Sequence, residues 1–269
     1  MKAAITGATG FLGQAVIRQL KANKISHTVF DRKKHNLLKP RSLKDLVAGR
    51  DVIIHLAAVN RGDDLDIVRV NILGTLSLLK AAAKYAPQAK IIFSSTFQIY
   101  LKESLYGLSK KFAEDLLLQY TQKAGLKGII LRISNIYGPG GKPFYNSVIA
   151  TFAHLIKTGE ILKINGDGEQ KRDFVYVDDV AKAIIKTVLH KQKASLETMN
   201  ICSGKEISLN DVLETIRGVY RKKFEVMYNK EVKEKPWPTK GKNFAEAQKL
   251  LGWRPTTPLL VGLGNVMKA

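Results

Sequence analysis

The sequence predicts a doubly wound α/β fold, a parallel sheet with helices on both faces, joined to a smaller, interleaved second lobe. Three observations carry this. Short apolar runs alternate with helical patterns through the first half of the chain. A glycine-rich turn, TGATGFLG, lies at Thr6–Gly13, between the first apolar run and the first helical pattern. The second apolar run ends in an acid, Asp31.

The elements follow in order. Ala3–Thr6 reads as a strand and Phe11–Ala22 as a helix, with Leu12, Val16 and Leu20 on one face. His27–Phe30 is the second strand. Asp51–His55, Lys90–Ser94 and Gly128–Arg132 are three more, each nearly continuous in apolar residues, as strands buried on both faces should be. Helices are expected around Leu65–Lys84 and Tyr106–Lys123. GPGGKP then marks a turn-rich boundary. Beyond it lie a helix near Asn146–Thr158, a strand at Ile161–Ile164 and a helical stretch at Val177–His190. A loop containing KPWPTKGK precedes a last helix near Phe244–Leu251. The expected division is a first lobe of residues 1–143, to which 174–195 return, and a second lobe of 144–173 and 196–269.

Composition narrows the function classes. A chain of 269 residues with an apolar fraction of 45% can bury a substantial core. One cysteine, Cys202, excludes an internal disulfide and a cysteine-rich metal site, and is expected to be a buried small residue. Five scattered histidines lack the spacing of a metal site, so no metal is expected. Met1 leads directly into a strand and no apolar run approaches the ~20 residues of a membrane span. A cytoplasmic location without membrane span is the expectation. The charge is lopsided: 44 Lys and Arg against 23 Asp and Glu, formally +21. Basic residues occur singly or in pairs, not interleaved with aromatics. A solvated lysine-rich surface therefore accounts for them better than a nucleic-acid partner does. Trp237 and Trp253 read as packing residues.

Two motifs carry chemistry. In the glycine turn, Gly7, Gly10 and Gly13 would let backbone N–H groups approach a pyrophosphate, and the following helix N-terminus favours its charge. Asp31 lies at the distance where an acid meets the adenosine ribose hydroxyls. In YGLSK, Tyr106 and Lys110 are i and i+4 neighbours on one helix face. Of the nine tyrosines, Tyr106 alone has a lysine four residues later. A nearby ammonium favours phenolate and would bring the phenol toward the range of a general base. Such a pair is often a mere surface contact. Following a strand that ends in SST and a cofactor-type turn, it points to proton transfer beside a nicotinamide.

The GxxGxxG spacing is that of the short-chain dehydrogenase/reductase superfamily. The whole chain resembles its extended branch, the nucleotide-sugar epimerases and dehydratases. DVIIHLAA, FSSTFQIY, YGLSK, LRISNIYGPG, GDGEQKRDFVYVDDVAKA, NICSGKEISL and LLGWRP are similar, in order, to motifs of that branch. The resemblance implies a Rossmann lobe and a catalytic set of Thr96, Tyr106 and Lys110, with Ser95 as the fallback hydroxyl. It implies dinucleotide contacts from Gly7, Gly10, Phe11, Leu12, Gly13, Asp31, Arg32, Asn36, Leu37, Leu56, Ala57 and Ala58, together with Tyr106 and Lys110. It places Arg172 on the diphosphate of a nucleotide sugar, UDP-linked by expectation, with Asn135 and Asn146 as further substrate ligands and Arg61 facing the same cleft. Without that role, Arg172 would be an ion-pair partner of Asp173 or Asp178. A homodimer paired through the helices at 65–84 and 106–123 is also implied.

The departures are informative. Nine residues separate Thr96 from Tyr106, fewer than is usual in the branch, so the cleft should be more open on that side. Phe97 and Gln98 stand where 4,6-dehydratases carry Asp-Glu, which disfavours water elimination. Asn36 stands where an adenine-contacting aspartate is usual. HLAAVNR, SSTFQ and KPFYNSVIATF also resemble the reductase domain of bifunctional capsular-polysaccharide enzymes, which reduces a 4-keto sugar with NADPH. Three readings result: a C4 epimerase holding NAD, a 4-keto-sugar reductase using NADPH, and a catalytically silent dinucleotide sensor or RNA-binding relative. For the cofactor, Asp31 favours NAD by accepting from both ribose hydroxyls. Arg32, Lys33 and Lys34 leave NADP(H) as the alternative.

Overall fold

The structure is a computed structural model and describes residues 1–101, 104–145, 147–220, 222–232 and 241–269. In the first lobe the chain runs β1 (Lys2–Thr6), α1 (Phe11–Ala22), β2 (Ser26–Val29), α2 (Lys44–Val47), β3 (Val52–His55), α3 (Asp64–Val68), α4 (Thr75–Tyr85), β4 (Lys90–Thr96), α5 (Leu105–Ala124) and β5 (Lys127–Ile133). Then follow β6 (Asn135–Tyr137), α6 (Val148–Thr158), β7 (Leu162–Asn165), β8 (Lys171–Tyr176), α7 (Val177–Leu189), β9 (Leu196–Ile201), β10 (Glu206–Ser208), α8 (Leu209–Val219), β11 (Val226–Asn229), α9 (Ala245–Leu251) and α10 (Leu259–Lys268).

The main sheet has six parallel strands in the order β2-β1-β3-β4-β5-β9. From β1 the chain moves outward to β2, then returns to the other side of β1 as β3. The crevice at the carboxyl ends of β1 and β3 is thus the topological switch point, where open α/β sheets bind ligands. Side chains alternate strictly between the two faces. Ala3, Ile5, Ile54, Ile92 and Leu131 join α1 and α7 in one core, while Ala4, Ile53, Ile91, Phe93 and Ile130 join α4 and α5 in the other.

The lobes divide differently from the sequence boundaries. Leu196–Ile201, expected in the second lobe, pairs along its length with β5 as the sixth strand of the main sheet. From the tail, Ala247 and Trp253 enter the α1/α7 core, and the Trp253 indole donates to the Asp179 carbonyl at 2.9 Å. Conversely Tyr137, within the first 143 residues, packs in the second lobe against Phe174 and Tyr176. That lobe is built on α6, α8 and α10, a three-stranded sheet β10-β8-β6 and the pair β11-β7.

One expected helix is interrupted. Between α3 and α4, residues Arg69–Gly74 form a wide π-helical turn. Trp237 lies outside the described residues. Cys202 is fully buried, and burial pushes its thiol up to about 12, as suits an inert packing residue.

Candidate active site

The glycine turn and the segment after β3 meet at the switch point. Gly7 has φ +74°, and a Cβ there would stand 2.7 Å from the Ala57 nitrogen and the Leu56 carbonyl carbon. A side chain at Gly13 would meet the Gly7 carbonyl oxygen at 2.0 Å. Close backbone approach therefore demands glycine at both. Helix α1 begins at Phe11 from Gly10 with no side-chain cap and no acid in its first turn. Its N–H groups and dipole are thus available to an anion, which fits the diphosphate of a dinucleotide. Phe11 and Leu12 are half-buried against the α1/α7 core, as is Leu56, while Ala58 follows Ala57 on the strand-end loop.

At the end of β2, the Asp31 carboxylate accepts from the Lys33 amide at 2.9 Å, and the Asp31 amide donates to His35 Nδ1 at 3.0 Å. Arg32 is exposed beside it. Asn36 is occupied in its own turn, accepting from the Leu38 amide at 2.9 Å. Leu37 packs on Gly74, where a Cβ would come within 2.7 Å of it.

Thr96 ends β4 and caps the short turn Phe97–Tyr100, its Oγ1 accepting from the Gln98 amide at 3.2 Å. With that lone pair engaged, its O–H is free to donate to a bound oxygen. Ser95, the fallback, is buried with no partner for its hydroxyl. Tyr106 lies in the first turn of α5, half-buried, and Lys110 one turn on at 1% exposure. The Lys110 ammonium rests 4.1 Å from the centroid of the Phe93 ring.

The electrostatics correct one expectation. Burial lowers Lys110 to about 7, against an opposing pull from Glu114. Burial, and then the neighbouring Tyr145 phenol, pushes Tyr106 up to about 12. In the free protein desolvation thus outweighs the expected help of the ammonium to the phenol.

Of the segment expected to leave the cleft open, the described residues Gln98 and Ser104 lie against the start of α5. The Gln98 carbonyl lies so close to Gly107 that a Cβ there would meet it at 2.2 Å, and the Ser104 hydroxyl donates to Gln98 Oε1 at 2.9 Å. Lys242 lies 4.5 Å from the Tyr100 ring. A cavity of about 290 Å³ opens here, lined by Phe97, Asp173 and Lys242 among others.

Of the residues expected to meet a substrate, Asn135 donates to the Asp173 carbonyl at 2.9 Å. Arg172 is half-buried on β8 and donates to the Lys171 carbonyl at 2.9 Å. The carboxylates weighed as its ion-pair partners are engaged elsewhere. Asp173 accepts from Ser134, Ser203 and Gly204, and Asp178 pairs with Arg18 at 2.9 Å. Arg61 donates to the Phe144 carbonyl at 3.4 Å, and Asn146 lies outside the described residues.

A buried polar chain behind the site escaped the sequence reading. Thr75 gives its proton to the Asn71 carbonyl at 2.7 Å, so His55 Nε2–H donates to Thr75 at 2.9 Å and His55 Nδ1 accepts from Thr6 at 2.6 Å. The Asn71 side chain bonds both backbone groups of Val59 at 2.8 Å and donates to Ser109 at 2.9 Å, and Ser109 donates to the Tyr106 carbonyl at 2.8 Å. The glycine turn's strand is thereby tied to the helix bearing Tyr106. The signal was available: Asn71 and Thr75 in VNILGT are polar residues on an otherwise apolar helical stretch.

Residues 3–202 match the NAD dependent epimerase/dehydratase family. The chain belongs to that family. A putative UDP-glucose 4-epimerase of Methanocaldococcus jannaschii is 29% identical over 98% of this chain and 96% of its own length. The structure of RMD from Pseudomonas aeruginosa complexed with NADPH superposes with a TM-score of 0.86 at 26% identity, covering 99% of this chain and 97% of the other. The UDP-glucose 4-epimerase of Thermotoga maritima with UDP-glucose gives 0.83 at 27%, covering 100% and 98%. Among the described residues of this family member, no helix is long and apolar enough to cross a membrane, and no metal-type cluster of His, Cys, Asp and Glu occurs.

Burial of neutral His55 and Lys110 makes stability pH-dependent. His55 is held at about 3, by burial first and then by Lys110, against 6.5 ordinarily, and Lys110 at about 7 against 10.5. The unfolded chain holds more protons in both intervals, so stability rises with pH through each and is lost as pH falls back. The urea midpoint of the protein should climb between about pH 7 and pH 10, and Lys110→Met should flatten that climb. Lys90, which burial holds at about 8 against 10.5, contributes its own part of the climb, so a slope in Lys110→Met as steep as in the wild type would contradict the assignment.

Proposed function

We propose that this family member is a nucleotide-sugar C4 epimerase, acting on a UDP-hexose with a nicotinamide dinucleotide held at the glycine turn. The observation that supports the reading is that Thr96 ends β4 while Tyr106 and Lys110 lie in the first turns of α5, which packs against that strand. Phe97 and Gln98, where water elimination would require an acid and a base, argue against a dehydratase. The UDP-glucose 4-epimerase relatives support the sugar class.

The dinucleotide, when bound, supplies the hydride acceptor and donor. Tyr106 takes the proton of the sugar's C4 hydroxyl, and Thr96 donates its free O–H to the same oxygen as it becomes a ketone. Lys110 fixes the cofactor ribose. A bound diphosphate would raise its affinity for a proton, and the ammonium so formed would favour the Tyr106 phenolate. Activation of the base is thereby linked to binding. Arg172 holds the sugar nucleotide's diphosphate, with Asn135, Asn146 and Arg61 around the sugar. The keto sugar then turns, and Tyr106 returns the proton with the opposite face presented.

NAD is the assigned cofactor, because the Asp31 carboxylate is fixed at the end of β2, where it would repel a 2′-phosphate. The NADPH-bound neighbour and exposed Arg32 favour a second reading, a 4-keto-sugar reductase using NADPH. The same catalytic set would serve it.

We also propose a homodimer through the helices before and after β4. Leu65, Leu73, Leu108 and Phe112 are exposed on α3, the π-turn and α5, which pack side by side. Such an apolar face suits an isologous contact.

Tyr106→Phe should keep dinucleotide affinity and lower interconversion of UDP-glucose and UDP-galactose, or of the UDP-hexose pair turned over best, by ~10²–10⁴-fold. A near wild-type rate would remove Tyr106 as the base. In light scattering at micromolar concentration the protein should be a dimer and Phe112→Glu a monomer. A monomeric wild type contradicts the assembly.

A further inference from the structure

The positive charge of the chain gathers around one cavity that lies outside the catalytic cleft. A space of about 500 Å³ opens where the short turn Pro40–Leu43 meets α4. Four exposed cations ring it: Lys39 and Arg41 on either side of Pro40, and Lys80 and Lys84 on the helix. Leu38, Pro40 and Tyr85 supply its apolar lining. Its place in the fold sets it apart from the glycine turn. Thr75, bonded to His55 at the carboxyl end of β3, marks the end of α4 nearest that turn. At 1.5 Å per residue, Lys80 and Lys84 lie about 8 and about 14 Å further along the helix axis, toward the amino end of β4.

The charge of this cavity differs from that of two others. The cavity beside Phe97 holds Lys242 together with Asp173 and Glu206, and one beside the end of α8 holds Arg217, Lys222 and Lys223 together with Glu160 and Glu225. No acid lines the cavity at α4. On α5 and α8, helical spacing pairs a cation with an acid, Lys111 with Asp115 and Arg217 with Glu214. Lys80 and Lys84 repeat the same charge at i and i+4, an arrangement that destabilises a helix. Asp45 stands four residues after Arg41, yet among the described residues none of the four cations makes an ion pair. The Lys84 amino group instead lies 5.5 Å from the centroid of the Tyr85 ring. Like charges gathered without partners repel, and a bound polyanion would remove that cost.

We propose that this cavity is a second ligand site, taking a nucleoside polyphosphate whose phosphates lie among Lys39, Arg41, Lys80 and Lys84 and whose base lies on Leu38, Pro40 and Tyr85. A triphosphate carries about four negative charges once its terminal phosphate is fully ionised, which matches the four cations. The Arg41 guanidinium can grip two phosphate oxygens at once, while the lysines act as point charges. The volume falls within the ~300–1,000 Å³ of small-molecule sites. The apolar lining gives a base a seat that a bare phosphate chain cannot use.

Calorimetry on the full chain tests this, with NAD and UDP saturating so that the catalytic cleft is filled, and without divalent metal. ATP and UTP are titrated beside inorganic tripolyphosphate and a short single-stranded RNA. The wild type should bind one nucleoside triphosphate per chain, more tightly than tripolyphosphate, and the affinity should fall as salt rises. Lys80→Gln with Lys84→Gln should weaken that binding about tenfold with NAD affinity unchanged, since both side chains are exposed and glutamine is a good helix former. Lys39→Gln with Arg41→Gln, on the facing wall, should show the same loss. Lys222→Gln with Lys223→Gln, which removes as much charge at the cavity that also holds acids, should leave binding unchanged. Leu38→Ser should weaken the nucleotide and spare tripolyphosphate. Absence of nucleotide binding, an equal loss in the Lys222 and Lys223 variant, or tripolyphosphate bound as tightly as the nucleotide overturns the proposal. RNA held at the four cations in place of a nucleotide overturns it as well.

Discussion

The amino group of Lys110, laid on the Phe93 ring in the interior, is the constraint around which this structure is arranged. Full burial makes its charge expensive, which is why its proton is held so loosely. The neighbouring groups accommodate that fact. His55, close enough to feel Lys110, stays neutral and spends both ring nitrogens on threonines. Glu114, one turn further along α5, is forked to Arg132 and so is not given over to Lys110. The site is left short of negative charge, and an anionic dinucleotide would provide it.

Rigidity around Lys110 comes from polar chains rather than from apolar packing alone. Asn71 turns inward where the helix widens at Arg69–Gly74, and it binds the strand-end loop on one side and α5 on the other. Gly107 lets the Gln98 carbonyl sit on the first turn of α5, so Thr96 and Tyr106 hold a fixed relation. Buried polar networks of this kind are costly when partly satisfied and rigid when complete. Substitutions at Asn71 or Gly107 would therefore disturb the chemistry without touching a ligand.

The parts of the site written in local sequence were legible. The glycine turn, the five strands from β1 to β5 and the YGLSK pair depend on residues a few positions apart, and periodicity or spacing exposes them. Less was legible where membership is decided at long range. In LETMNI only Met199 and Ile201 are buried, so nothing in the segment announces the edge strand that β5 recruits. The strands of the second lobe are three to six residues long and pair with distant partners, as Glu206–Ser208 does with Lys171–Asp173. The ionisation of the Tyr–Lys pair was misjudged for a related reason. Spacing reveals proximity but not burial, and here burial dominates. The Pro143–Phe144 turn was hidden too, because Pro-Phe does not advertise a left-handed residue.

The central claim is that one sugar gives up and regains hydride and proton at C4 without leaving the site. Deuterium at C4 tests it most directly. The UDP-hexose that the protein turns over is supplied with deuterium at C4, together with a catalytic amount of NAD and no other reductant. NMR should show the C4 epimer accumulating with its deuterium retained, and no net NADH. Inversion that appears only with stoichiometric NADPH, or deuterium lost to solvent, would contradict the account.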